Sequence, residues 1–144
     1  MAKRILVCGG RDFGDLSIRR DSPLWFHRKA EYQFIHKTLS DLFPVVQDDE
    51  STWLPPSGVC IISGKARGAD TAASDWAVIN WTQLEEYPAD WAKYGKRAGY
   101  IRNVQMLEEG KPDLVIAFPG GKGTAMMVNI AKQAGIKVIE VSYG

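Results

Sequence analysis

A glycine-rich turn near the C-terminal end of the sequence, PGGKGT at residues 119–124, has the composition of a phosphate-binding turn. Consecutive glycines let backbone N–H groups approach an anion, and a helix that starts immediately afterwards adds its positive end. The turn matches neither the P-loop pattern nor the dinucleotide-binding pattern, since Met126 stands where the latter has its third glycine. Close packing of a strand against a helix would require the same glycines, so both interpretations stay open. The candidate ligand-binding residues of this turn are Pro119, Gly120, Gly121, Gly123 and Thr124.

A second loop, SGKARGAD at residues 63–70, places cations and free amides at the start of another helix. Its candidate ligand-binding residues are Ser63, Gly64, Arg67, Gly68 and Asp70. Asp70 falls in the first turn of the predicted helix, where a carboxylate complements the helix dipole. We prefer this structural role, with a hydrogen bond from a ribose hydroxyl as the alternative.

Two further segments carry groups that could hold an anion. GGRD at residues 9–12 adds Gly9, Gly10, Arg11 and Asp12, and Arg102 with Asn103 begins a later helix. A guanidinium at such a position can hold a phosphate or a carboxylate through two hydrogen bonds. The aromatic residues Trp91, Tyr94 and Tyr100 lie among lysines and arginines. They could stack on a base or a single strand, or they could simply cover the edge of the sheet.

Apolar runs alternate with stretches of helical spacing along the whole chain. We predict strands at 3–8, 59–62, 83–87, 113–118 and 137–141, with helices at 22–43, 69–81 and 124–134. Residues 91–110 are predicted to form a broken turn and then a helix that ends at Gly110. Residues 44–58 mix prolines and acids without periodicity, and we predict a loop there. The alternation predicts one doubly wound, Rossmann-like α/β domain over residues 1–144, with a mainly parallel five-stranded sheet and helices on both faces. The four loops above should then meet at the carboxyl edge of that sheet.

Composition excludes several classes of protein. With 45% hydrophobic and 24% charged residues, the sequence is typical of a globular domain, and no apolar run reaches the roughly 18 residues of a membrane span. We expect a cytoplasmic protein without a signal peptide. Cys8 and Cys60 each lie close to the end of an apolar run, and His27 and His36 are too far apart to share a metal, so we predict neither a disulfide nor a metal site. The net charge of +1 argues against a polyanion-binding surface spread over the whole protein.

The motifs GGRDF, SGKARGAD, YPADW, GKRAGYIRN and PDLVIAFPGGKGT together resemble the YspA/YpsA-related SLOG family, a DUF2493-type group within the Rossmann-like SLOG superfamily. The resemblance runs from Ile5 to Val141 apart from the segment 44–58. It implies binding of a nucleotide or nucleotide derivative such as AMP, ADP-ribose or an NAD-related molecule, in some members as a sensor. It also implies a homo-oligomer, and it points to no other cofactor.

Two branches of the superfamily imply more specific activities. LOG-type phosphoribohydrolases carry R-K-x-x-M and P-G-G-x-G-T-x-x-E; residues 102–106 keep the arginine and the methionine, but Met127 replaces the glutamate. Whether the chain is an enzyme therefore stays open, with Arg102 and Asp70 as weak catalytic candidates and Asp12 as a further carboxylate that could replace the glutamate. DNA-processing protein A carries S-G-x-A-x-G-I-D and an R-N segment, which residues 63–70 and 102–103 resemble. Single-stranded nucleic acid is accordingly an alternative ligand.

Overall fold

The alternating pattern of the sequence folds into a layered α/β structure in the computed structural model, which describes residues 3–44, 46–47, 53–54 and 58–144. Its elements in chain order are β1 (Lys3–Cys8), α1 (Trp25–Leu42), β2 (Val46–Gln47), β3 (Trp53–Leu54), β4 (Val59–Ser63), α2 (Ala69–Ile79), β5 (Gln83–Glu86), α3 (Trp91–Tyr94), a 3₁₀ turn (Gly95–Arg97), α4 (Ala98–Glu108), β6 (Leu114–Ala117), α5 (Lys122–Gln133) and β7 (Lys137–Glu140). No helix among the described residues is long and apolar enough to span a membrane.

Five strands form one sheet in the order β5-β4-β1-β6-β7, and every neighbouring pair is parallel. In the central strand, Ile5 pairs with Ile61 of β4 on one side and with Leu114 of β6 on the other. The chain moves from β1 outward through β4 and β5, and then returns to add β6 and β7 on the opposite side. The order therefore reverses between β1 and β6, where sheets of this kind bind their ligands. The predicted five-stranded sheet is confirmed.

Helices cover both faces of the sheet, as predicted, because alternate strand residues point to opposite sides. Ile5 and Val7 of β1 belong to a core layer that includes Ile35 and Leu39 of α1 and Trp76 of α2. The other face of β1 supplies Leu6 and Cys8 to a second layer built with Met106 of α4 and with Met127, Val128 and Ala131 of α5. Helices α4 and α5 thus lie beside the end of β1 at which the chain leaves the sheet.

The bounds of most predicted elements differ from the structure by one to three residues. Helix α1 begins at Trp25 rather than at Ser22, since the Ser22 carbonyl accepts a turn hydrogen bond from the Trp25 N–H at 3.0 Å. Helix α5 begins at Lys122, two residues before the predicted start, so that Gly123 lies within the helix. The predicted loop at 44–58 contains a short antiparallel pair, β2 with β3, in which Val46 faces Leu54. Valine and tryptophan favour extended backbone, and the other residues between 45 and 57 lie outside the described ranges.

Candidate functional site

The loops that follow β1 and β6 contact each other directly at the point where the strand order reverses. The Gly10 N–H donates to the Pro119 carbonyl at 2.8 Å. Gly120 has no room for a side chain, because a Cβ there would overlap Thr124 and the Gly10 nitrogen. Pro119 and Gly120 therefore act by holding the two loops together.

A cavity of about 500 Å³, which we call the switch-point cavity, opens beside these loops. Its volume is in the range of small-molecule sites. Nine predicted site residues line it: Gly9, Gly10, Arg11, Asp70, Arg102, Asn103, Gly121, Gly123 and Thr124. The lining also includes residues outside the predicted set: Cys8, Ala66, Gly99, Tyr100, Met106, Lys122, Met126 and Met127.

The N-terminus of α5 supplies hydrogen-bond donors to this cavity. An α-helix leaves its first N–H groups without intrahelical acceptors, and the cap residue here, Gly121, has no side chain to accept from them. Among the described residues, no backbone carbonyl outside the helix accepts from the N–H groups of Lys122, Gly123 or Thr124. A Cβ on Gly121 or Gly123 would meet no protein atom within 4 Å. The turn thus combines free donors, the positive end of a helix dipole and open space.

Arg102 adds a buried positive charge. The side chain is 8% exposed, and its Nη1 donates to the Gly64 carbonyl while its Nε donates to Asn103 Oδ1 at 3.0 Å. Its Nη2 has no acceptor among the described residues. Burial lowers the pKa of Arg102, and the nearby carboxylate of Asp70 opposes that change. A guanidinium stays protonated in any protein setting, so the cavity contains a cation with one unused nitrogen.

Asn103 connects Arg102 to the glycine turn. Its Oδ1 accepts from Arg102, and its Nδ2 donates to the Met126 sulfur at 3.2 Å and, at 3.4 Å, to the Gly123 carbonyl. Both residues of the predicted Arg-Asn pair are buried. The amide therefore fixes the guanidinium of α4 relative to the N-terminus of α5.

Asp70 provides a buried carboxylate close to Arg102 in the cavity lining. It is 6% exposed, and its Oδ2 accepts a hydrogen bond from the Ala66 N–H at 3.3 Å. Burial raises the pKa of Asp70 to about 6, against the opposing effects of Arg102, the Ala66 N–H and Arg11. Gly64 makes room for both charged groups, since a Cβ there would lie 2.6 Å from Arg102 Nη1 and 2.8 Å from Asp70 Oδ2.

Several predicted site residues lie outside the cavity lining. Arg67 pairs with Asp12 at 3.2 Å and approaches Asp15 at 3.7 Å, which ties the loop after β4 to the loop after β1. Gly68 has φ +83° and packs against the carbonyls of Gly10 and Arg11, where a side chain would clash. Ser63 donates to the Asp70 carbonyl at 3.0 Å. Direct contact of these residues, or of Gly64, Pro119 and Gly120, with a ligand stays a prediction.

Aromatic residues border the cavity. The Arg11 guanidinium lies 5.0 Å from the centre of the Trp91 ring, within range of a cation–π interaction. Tyr100 lines the cavity and is 58% exposed, so its ring is free to contact a ligand. Trp91 and Tyr94 are also exposed, but they do not line the cavity.

The cavity floor was missed by reasoning from the sequence, although helical spacing could have indicated it. Met106 follows Arg102 by one turn of α4, and Met127 follows Gly123 by one turn of α5. Met127 is 1% exposed and packs in the apolar layer beneath the cavity. Within the described ranges, no three His, Cys, Asp or Glu side chains are grouped as metal ligands.

Part of the sequence is similar to known proteins. The family described as the YspA, cpYpsA-related SLOG family matches residues 3–94, which include β1 and the loops after β1 and β4. The Gene 61 protein of Mycobacterium phage D29 is 39% identical over 94 residues, covering 58% of this chain and 72% of that protein. Arg102 and the glycine turn lie beyond the segment that the family matches. The chain belongs to the YspA, cpYpsA-related SLOG family.

Proposed function

We propose that the protein binds a nucleotide or nucleotide derivative, with a phosphate at the N-terminus of α5. The observation that carries the proposal is the convergence of unused donors on one cavity. Lys122, Gly123 and Thr124 line the same cavity as Arg102, and among the described residues neither their N–H groups nor Arg102 Nη2 has an acceptor. Charge-assisted hydrogen bonds from a guanidinium, together with helix N–H groups, are how proteins hold phosphates.

The rest of the cavity suits the remainder of a nucleotide. Tyr100 offers an exposed ring on which a base could stack. A volume of about 500 Å³ accommodates ligands from AMP to the larger ADP-ribose and NAD-related molecules. Membership of the SLOG family is consistent with nucleotide-related binding. With a net charge of only +1, attraction of the ligand depends on the local arrangement rather than on the field of the whole chain.

Thermal unfolding with AMP, ADP-ribose, NAD, cyclic nucleotides and short single-stranded DNA tests the proposal. A ligand at a hundredfold excess over its Kd adds about 2.7 kcal/mol, which raises the Tm of a domain of this size by roughly 5–10 °C. Absence of a shift with every nucleotide would contradict the proposal. A shift with DNA alone, weakening steeply with salt, would indicate single-strand binding instead.

Arg102→Lys tests the role of the guanidinium. Lysine keeps the charge but loses the fork that contacts the Gly64 carbonyl and leaves Nη2 free. We expect a loss of nucleotide affinity of about tenfold or more, measured by calorimetry. Arg28→Lys is the matched control, since Arg28 pairs with Glu31 on α1, away from the cavity. Equal affinity in Arg102→Lys and wild type would remove Arg102 from the site.

One observation favours hydrolysis of an N-glycosidic bond as a second candidate function. Asp70 places a buried carboxylate in the cavity, and its raised pKa of about 6 suits a group that takes a proton from water near neutral pH. The other carboxylate considered, Asp12, is exposed and paired with Arg67 outside the cavity. Incubation with AMP followed by chromatography for free adenine tests this function, with Asp70→Asn expected to abolish release. No adenine from the wild-type protein would rule out AMP hydrolysis.

A further inference from the structure

The Asp70 carboxylate is buried, although its contacts within the protein do not require it to be. It lies in the first turn of α2, where it complements the helix dipole. An exposed carboxylate would do the same, whereas burial of a charged group costs free energy unless the group is paired. Asp70 is nevertheless 6% exposed, and no lysine or arginine nitrogen of the described residues lies within 4.0 Å of it.

The hydrogen-bond pattern leaves one Asp70 oxygen unused. Oδ2 accepts from the Ala66 N–H, while Oδ1 has no donor among the described residues. The nearby cation, Arg102, directs Nη1 to the Gly64 carbonyl and Nε to Asn103. Because Asp70 lines the switch-point cavity, a donor on a bound ligand is the partner that this oxygen lacks.

The position of Asp70 limits which part of a ligand can contact it. An ionised carboxylate repels phosphate, and the phosphate donors lie on α5 and at Arg102. Arg102 Nη1 and Asp70 Oδ2 lie 2.6 Å and 2.8 Å from the same point, the position of a Cβ on Gly64. The ligand must therefore present a hydrogen-bond donor within a few ångströms of its phosphate. In a nucleotide, that arrangement belongs to the hydroxyl groups of ribose.

We infer that Asp70 accepts a hydrogen bond from a ribose hydroxyl and thereby selects ribonucleotides over their deoxy counterparts. The inference rests on the proposed nucleotide function and names its ligand class. A hydroxyl that donates to a buried carboxylate contributes more than one that donates to a neutral acceptor. A deoxy ligand leaves Oδ1 without this donor, and the lost hydrogen bond is the source of the selectivity. The same contact disfavours single-stranded DNA, which lacks the 2′-hydroxyl.

Calorimetric titration with AMP, 2′-deoxy-AMP and 3′-deoxy-AMP tests the inference. For the wild-type protein we expect one deoxy analogue to bind at least about tenfold more weakly than AMP. In Asp70→Asn, AMP should bind less than about threefold more tightly than that same deoxy analogue, because a neutral amide accepts a weaker hydrogen bond. Asp75→Asn on the same helix is the matched control, since Asp75 accepts from the Tyr32 hydroxyl away from the cavity and should leave the ratio unchanged.

The outcomes separate this inference from the proposed function. Equal affinity of the wild-type protein for all three ligands would overturn the role of Asp70 and leave nucleotide binding intact. If none of the three ligands binds, both the role of Asp70 and the proposed nucleotide function are overturned. If Asp70→Asn does not fold, the ¹³C shift of the Asp70 carboxyl carbon in the wild-type protein replaces it. That shift should move with AMP and not with the weaker deoxy analogue, and an unmoved resonance would contradict the inference.

Discussion

Substitution of Gly123 by alanine should change stability and binding in opposite directions. Gly123 lies in the first turn of α5, and a Cβ there would meet no protein atom within 4 Å. Alanine is the better helix former and restricts the unfolded chain, so Gly123→Ala should raise the free energy of unfolding by about 0.4–1 kcal/mol. For a domain of this size, the Tm would rise by roughly 1–4 °C.

The same methyl group should weaken ligand binding. In a helix the Cα–Cβ bond tilts toward the N-terminus, which is also the direction of the first N–H groups. A phosphate oxygen needs about 2.9 Å to the nitrogen, whereas contact with a methyl carbon requires about 3.5–4.0 Å. Since Gly123 lines the cavity, the methyl displaces the phosphate from its donors, and the affinity for AMP should fall by about tenfold or more.

Urea denaturation and calorimetric titration measure the two effects on the same sample. Asn129→Ala is the control, because Asn129 lies on the exposed side of α5 and its replacement also favours the helix. This variant should gain stability and keep its affinity. A Gly123→Ala protein that is more stable and binds AMP as well as the wild type would refute an anion site at this helix end. Because stability rises, weaker binding cannot be attributed to unfolding.

Three further predictions concern the walls and floor of the cavity. Gly64→Ala should cost about 1–3 kcal/mol of stability and most AMP affinity, since the methyl group would crowd Arg102 and Asp70; unchanged urea unfolding would contradict that packing. Met127→Glu should lower the free energy of unfolding by about 3 kcal/mol, because Met127 is 1% exposed in an apolar layer. A loss below about 1 kcal/mol would show that water reaches the cavity floor at residue 127. Burial raises the pKa of Asp70 from 3.8 to about 6, so the native protein binds this proton more tightly than the unfolded chain. Ionisation of Asp70 therefore costs stability as the pH rises through this window. The free energy of unfolding of Asp70→Asn, relative to that of the wild type, should therefore increase by about 1–3 kcal/mol between about pH 4 and pH 6. If urea unfolding gives the same difference between the two proteins at both pH values, the raised pKa is contradicted. The groups facing Asp70 in this titration are Arg11, Arg102 and Cys8.

The sheet was predicted well from the sequence because buried parallel strands consist of continuous runs of apolar residues. Leu114 to Ala117 and Val59 to Ser63 are buried throughout, and both runs end in glycine loops. The start of α5 was placed two residues late, because Gly123 is a poor helix former that tertiary context nevertheless holds in the helix. The pairing of β2 with β3 depends on contacts between residues six and eight apart, which local composition does not report.

The site was predictable as a set of loops but not as a set of contacts. Spacing placed Arg67 and Asp12 at the same sheet edge, yet it could not show that they pair with each other outside the cavity. Nor could it show that Asp70 would be buried, since that follows from the packing of α4 against the loop after β4. Exposure, and therefore which polar groups are left without a partner, is a property of the assembled fold.

The most direct test of the account is an NMR titration of the ¹⁵N-labelled 16.0 kDa protein with AMP. The amide resonances of Lys122, Gly123 and Thr124, together with the side-chain Nε of Arg102, should shift most. Adenosine, which lacks the phosphate, should leave the three amides in place. If AMP binds while these resonances stay fixed, or if adenosine moves them equally, the N-terminus of α5 is not a phosphate site and the central claim is wrong.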